Sequence, residues 1–147
     1  MRYAYTRIDA NLPARPYVKF FLRVGSATTD TLYGLVDSGA DYSILPFEFS
    51  RTLKLKMTDG TPWSFRGTTG KLQIAYLHNI EMSVWDAKTE KLAFRFKTQV
   101  SFFEDFRFPG GVILGQDGFL SLFQTTFVQA ESYFDLEPRD KDHVVAA

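Results

Sequence analysis

Leu35-Val36-Asp37-Ser38-Gly39-Ala40-Asp41 is an apolar strand that ends in an acid, a small hydroxyl residue and a glycine. Glycine lets a chain turn sharply and brings backbone N–H groups close to a neighbouring carboxylate. Carried straight on, the strand would bury Asp37, and an unpaired buried carboxylate is costly. Either the turn exposes Asp37 or partners satisfy it. By itself the triplet also fits an ordinary turn in which Asp37 bonds its own backbone.

Working outward, Val18, Phe20, Leu22 and Val24 alternate with Tyr17, Lys19, Phe21 and Arg23. A period of two marks a strand. A turn at Gly25-Ser26-Ala27 and a second strand over Thr31–Val36 complete a hairpin that delivers Asp37. On the other side, Ser43-Ile44-Leu45 is short and apolar, and Pro46 opens a brief helical turn through Arg51. Further strands are expected over Leu53–Met57, Leu72–Leu77, Ile80–Trp85 and Leu92–Phe102. Gly67 and Gly70, among threonines, predict a hairpin tip that needs positive φ. Pro109-Gly110-Gly111 is a break. Val112-Ile113-Leu114 is a short buried strand, and Gln116–Phe123 fits a short helix with Phe119, Leu120 and Phe123 on one side. Thr125–Val128 and Tyr133–Leu136 form a closing hairpin, and residues 139–147 a frayed tail. Many short strands and few helices predict an all-β barrel or folded-over sandwich.

The 147 residues suit one domain. With 45% hydrophobic residues, including 15 Phe and 7 Tyr, the chain has material for a packed core. Lys and Arg number 17 and Asp and Glu 17, so no basic excess exists to neutralise phosphates, and no nucleic-acid partner is expected. The absence of cysteine excludes disulfides, thiolate nucleophiles and Cys-ligated zinc. His78 and His143 are the only histidines; both are read as structural or surface residues, with no metal site and no Ser-His-Asp triad. Met1–Arg15 lacks the apolar run of a secretory signal, and Lys19 and Arg23 interrupt the nearest apolar segment. Nothing approaches the ~20 apolar residues of a membrane span. A cytoplasmic location without membrane partners is the default.

About seventy-five residues after Asp37 comes Val112-Ile113-Leu114-Gly115-Gln116-Asp117. The order of hairpin, Asp-Ser-Gly-Ala, glycine-bearing tip, Ile-Leu-Gly and short helix resembles the retropepsin family, the single-domain aspartic proteases of retroviruses and their cellular and bacterial relatives. The resemblance covers Tyr17 to Pro138, and the closing Thr126-Phe127 and Phe134-Asp135-Leu136-Glu137-Pro138 look most like the bacterial branch. It implies a closed acid-protease barrel with a flap hairpin and one short C-terminal helix. It also implies an aspartic endopeptidase that uses no cofactor. Two carboxylates, one per subunit, would share a proton across a two-fold axis, because two close like charges do not both ionise easily. The pair would activate water and protonate the departing amide. With one Asp-Ser-Gly per chain, the resemblance implies a homodimer acting on a peptide or protein.

Residue by residue, the resemblance gives Asp37 the catalytic role and gives Ser38 a hydroxyl bonded across the two-fold. Gly39 permits the turn, and Gly115 packs beneath the loop. Ala40 and Asp41 match positions that meet substrate backbone, though Asp41 serves equally as a structural ion-pair partner. Gly67, Thr68, Thr69 and Gly70 match the flap by location, and a plain exposed hairpin is the alternative. Gln116 departs from the family, where arginine often follows this glycine and ties it to the acid of the catalytic loop. A Gln cannot make that ion pair with Asp41; Lys19, Arg23 and Arg107 are candidate substitutes. Trp63, Phe65 and Tyr76 near the flap serve either as core or as subsite walls. Two rivals stand beside the enzyme: an inactive peptide-binding or dimerisation module on the same barrel, and an ordinary β-barrel ligand binder.

Overall fold

The computed structural model describes residues 1–66, 70–104 and 111–146. After a first short strand, β1 (Arg2–Ala4), comes the hairpin that leads to Asp37: β2 (Tyr17–Val24), the two-residue β3 (Ala27–Thr28) at the turn, and β4 (Leu32–Val36). The alternation predicted for β2 holds over residues 18–23 but not at its ends, where Tyr17 is buried and Val24 half-buried. Val18, Phe20 and Leu22 are buried while Lys19 and Arg23 are exposed. Burying each such apolar side chain stabilises the fold by about 1.5–3 kcal/mol. On β4, a Cβ at Gly34 would lie 2.6 Å from Leu114 Cδ1 and 2.9 Å from Phe20 Cε1, so a larger residue there would force these core side chains to shift.

The chain continues through β5 (Ile44–Pro46), α1 (Glu48–Thr52), β6 (Thr61–Arg66), β7 (Leu72–Trp85), β8 (Leu92–Phe103) and β9 (Ile113–Leu114). Hydrogen bonding runs β8-β5-β9-β4-β2-β7, and β7 pairs back onto β8 to close a six-strand barrel. Among the described strands two pairings are parallel: β4 with β9, Leu35 opposite Ile113 and Val36 opposite Leu114, and β5 with β8. The barrel is filled by side chains such as Phe20, Leu22, Leu45, Met82, Phe102 and Leu114, all fully buried.

The last strands are β10 (Phe123–Val128), β11 (Tyr133–Pro138) and β12 (Val145–Ala146). β1, β11 and β10 make a separate three-stranded sheet, with Phe134 and Leu136 buried in the main core. Arg2 clamps β1 to β11 through two hydrogen bonds to Asp135, at 2.9 and 3.0 Å.

Several local expectations change. No strand forms over 53–57. Leu53 is buried as it closes α1, Lys54 is left-handed (φ 57°), and Met57–Asp59 is a 3-10 turn. The expected helix over 116–123 contracts to a 3-10 turn at Leu120–Leu122, with Phe123 already in β10. Gly118 (φ 94°) interrupts it and lies against the Gln99 carbonyl, where no Cβ fits. The two strands expected over 72–85 are one continuous β7. β1 lies outside the expected core. Within the expected tail, Val144 is buried and β12 pairs with β8. Among the described residues no helix is long and apolar enough to cross a membrane.

Candidate active site

β4 carries Asp37 to the edge of the barrel. Backbone bonds hold the strand up to that point: Leu35 N–H donates to the Val112 carbonyl at 3.0 Å, and Val36 N–H to the Pro16 carbonyl and Asp37 N–H to the Leu114 carbonyl, both at 2.9 Å. The chain then turns. Asp37 is half-buried, and Ser38 and Gly39 are exposed. The Gly39 N–H donates to Asp37 Oδ1 at 2.8 Å, and the Ala40 N–H to the Asp37 carbonyl at 3.3 Å. The turn leaves the acid half-buried, and the glycine amide satisfies one of its oxygens.

The segment after β9 lies against this loop. Gln116 N–H donates to the Ala40 carbonyl and Asp117 N–H to the Asp41 carbonyl, each at 2.8 Å. The Gln116 side chain donates from Nε2 to the Ser38 carbonyl at 2.6 Å. A Cβ at Gly115 would collide with the Tyr42 carbonyl and lie 2.7 Å from the Ala40 oxygen, so the approach needs glycine. Asp37, Ser38, Gly39, Ala40, Asp41, Gly115 and Gln116 are therefore gathered in one place, although some seventy-five residues separate the two segments.

Ser43 is a site residue that sequence reasoning missed. It is fully buried, its Oγ accepts the Gly115 N–H at 3.1 Å, and its carbonyl accepts the Ser101 N–H (2.9 Å) and Oγ–H (2.6 Å). A hydroxyl set inside the apolar run Tyr42-Ser43-Ile44-Leu45 was the available signal, because a buried polar group requires partners.

Gly67, Thr68 and Thr69 lie outside the described residues. Gly70 is exposed with φ 73° and open space around it, as expected for a hairpin end. β6 and β7 pair up to Arg66 opposite Leu72, and Arg66 Nη1 donates to the Gly70 carbonyl at 2.9 Å. Beneath this hairpin an aromatic series joins it to the site: Tyr42 to Trp63 (ring centroids 4.6 Å), Trp63 to Phe65 (4.9 Å) and Phe65 to Phe103 (5.3 Å). Trp63 and Phe65 pack on a small cluster of Ile44, Ala75 and Phe103; half-buried Tyr76 is not part of it.

Asp41 is exposed, and no ion pair to it forms among the described residues. Of the substitutes considered for the missing arginine, Lys19 sits 5.7 Å over the Tyr33 ring, Arg23 is exposed on β2, and Arg107 lies outside the described residues. The Ser38 hydroxyl makes no hydrogen bond among the described residues of the single chain. An open cavity of about 610 Å³ adjoins the loop, bounded by Asp41, Tyr42, Gln116 and Asp117. A second, of about 540 Å³, lies between β1, the outer faces of β2 and β4 and the β7–β8 turn, among Tyr3, Tyr17, Lys19, Tyr33 and Trp85, and no residue of the Asp37 loop lines it. Burial pushes the Tyr3 and Tyr17 hydroxyls above the usual tyrosine range.

No family model matches the sequence, and no curated protein matches it. Among solved structures, the chain is similar to a crystal structure of a retropepsin-like aspartic protease from Rickettsia conorii. Sequence identity is 17%, the match covers 91% of this chain and 95% of that one, and the TM-score is 0.57. The likeness is one of fold: this chain has a retropepsin-like, all-β barrel.

Proposed function

We propose that the protein is an aspartic endopeptidase whose active unit is a homodimer, with one Asp37 from each subunit. The observation that carries this is the loop itself. A half-buried carboxylate stands at a strand end, holds one backbone N–H, and is locked against a second glycine-bearing segment, within a barrel similar to that of an aspartic protease. One such loop per chain supplies half of a carboxylate pair. Two copies facing across a two-fold axis supply both. The pair shares one proton, deprotonates a water that attacks the peptide carbonyl, and returns a proton to the leaving amine. Ser38 braces the two loops across the axis. Ala40, Asp41 and the β6–β7 hairpin receive an extended peptide that adds as a strand.

The test is digestion of a peptide library by the purified protein, with Asp37→Asn as control. Asn keeps the shape but cannot shuttle the proton. The variant is expected to fold normally by circular dichroism and to lose cleavage, and the wild-type rate should follow a bell-shaped pH profile, because the pair works with one shared proton. Cleavage by Asp37→Asn at the wild-type rate would sink the assignment. A folded wild-type protein that cleaves nothing would favour the inactive module.

A further inference from the structure

We propose that Gln116 is a positioning residue that sets the orientation of the Asp37 carboxylate from within the same subunit, an inference that rests on Asp37 being catalytic. The Gln116 main chain is anchored to the loop by its N–H bond to the Ala40 carbonyl at 2.8 Å. From that anchor, Nε2 reaches the Ser38 carbonyl at 2.6 Å. This carbonyl belongs to the same peptide unit as the Gly39 N–H, which donates to Asp37 Oδ1 at 2.8 Å. A peptide unit is planar, so its C=O and N–H turn together. One plane is thus held at both ends, its oxygen by Gln116 and its N–H by the carboxylate. Rotation of that plane breaks both bonds, and donation to the oxygen polarises the N–H that faces Asp37.

The chemistry also accounts for the residue type. Gln116 lines a cavity together with Asp41 and Asp117 and bonds the carbonyl of Ser38, the residue after Asp37. A neutral amide donates to a carbonyl without adding charge beside a catalytic acid, and it is not drawn off into an ion pair. An arginine here would have a carboxylate to choose instead. The departure from the expected arginine therefore replaces an ion pair with a backbone brace.

The experiment compares wild type, Gln116→Ala, Gln116→Glu and Asp37→Asn, by steady-state peptide cleavage across pH and by amide hydrogen exchange at Gly39. Gln116→Ala is expected to lower kcat about fivefold, the equivalent of one neutral hydrogen bond, with KM nearly unchanged, and to speed Gly39 exchange by a similar factor. Gln116→Glu is nearly isosteric and adds a pH signature. Ionised Glu cannot donate, whereas protonated Glu can. Its kcat relative to wild type is expected to rise as pH falls through the ordinary Glu range near ~4.3, while the same ratio for Gln116→Ala stays flat. Unchanged kcat and unchanged Gly39 exchange in Gln116→Ala would overturn the proposal, as would a flat ratio for Gln116→Glu. If wild type and Asp37→Asn are equally inert, the catalytic assignment has failed, and Gly39 exchange alone decides whether the brace exists.

Discussion

At Gly115 one absent Cβ governs how near the two segments of the site come. The backbone there is not left-handed, so the requirement is for space; at Gly70 and Gly111, by contrast, φ is 73° and 79° and the surroundings are open. The atoms a Cβ would meet are main-chain oxygens of Tyr42 and Ala40, which cannot rotate away as a side chain can. Gly115→Ala is therefore expected to destabilise the protein by about 1–3 kcal/mol, the usual cost of overpacking. A lower urea midpoint and faster exchange at Ala40 would register it. A variant with the wild-type midpoint would mean that the two segments part at no cost.

The β6–β7 hairpin shows the same economy at the scale of an element. Among the described residues β6 pairs with β7 alone, and a lone two-stranded ribbon is marginal in water. Trp63, stacked on Phe65 and packed at a tilt against Tyr42, ties β6 to the loop segment that follows Asp37. Each aromatic pair contributes about 0.5–1.5 kcal/mol beyond burial. Trp63→Ala is thus expected to raise the local opening of β6 by roughly 1–3 kcal/mol while leaving the barrel closed. Hydrogen exchange read by mass spectrometry would show lost protection over Thr61–Arg66 and unchanged protection over β2 and β4. Uniform loss across the barrel would instead make Trp63 a global core residue. The exposed face of the same hairpin carries Leu72 and Ile74, so the ribbon has its aromatic anchor on one side only.

For the molecule as a whole, the proposed mechanism makes activity a property of concentration. A single chain presents one Asp-Ser-Gly loop, with the Ser38 hydroxyl unbonded among the described residues. Specific activity should fall on dilution below the dimer dissociation constant. Ser38→Ala should shift that fall to higher concentration, because symmetry removes two hydrogen bonds of ~1 kcal/mol each. Sedimentation velocity beside a dilution series of initial rates measures both. A monomer with undiminished specific activity would place the second acid within the chain. If Gln116 braces each loop internally, the loop keeps its shape in the separated subunit, and dilution removes the partner without unmaking the half-site.

What the sequence by itself determined was local. Alternation over residues 18–23 named the buried face of β2, the glycine after Asp37-Ser38 allowed a sharp turn, and the Ile-Leu-Gly segment marked a short buried strand. These are properties of near neighbours, set by a period of two and by where a Cβ is tolerated. The tertiary structure decided which strands meet. β7 runs unbroken through Leu77-His78-Asn79 because β8 pairs along its length, and β1 finds β11 more than 130 residues away. The helix expected after Gly115 is mostly unwound because Gly118 adopts φ 94° beside the Gln99 carbonyl and Phe123 is taken into β10. Ser43, the Trp63 stack and the Gln116 amide became site features only through such meetings. Periodicity specifies which face of a strand is buried, but it carries no information about the partner that buries it; a hydrogen bond across the fold exists only once the barrel has closed and brought donor and acceptor within 3 Å.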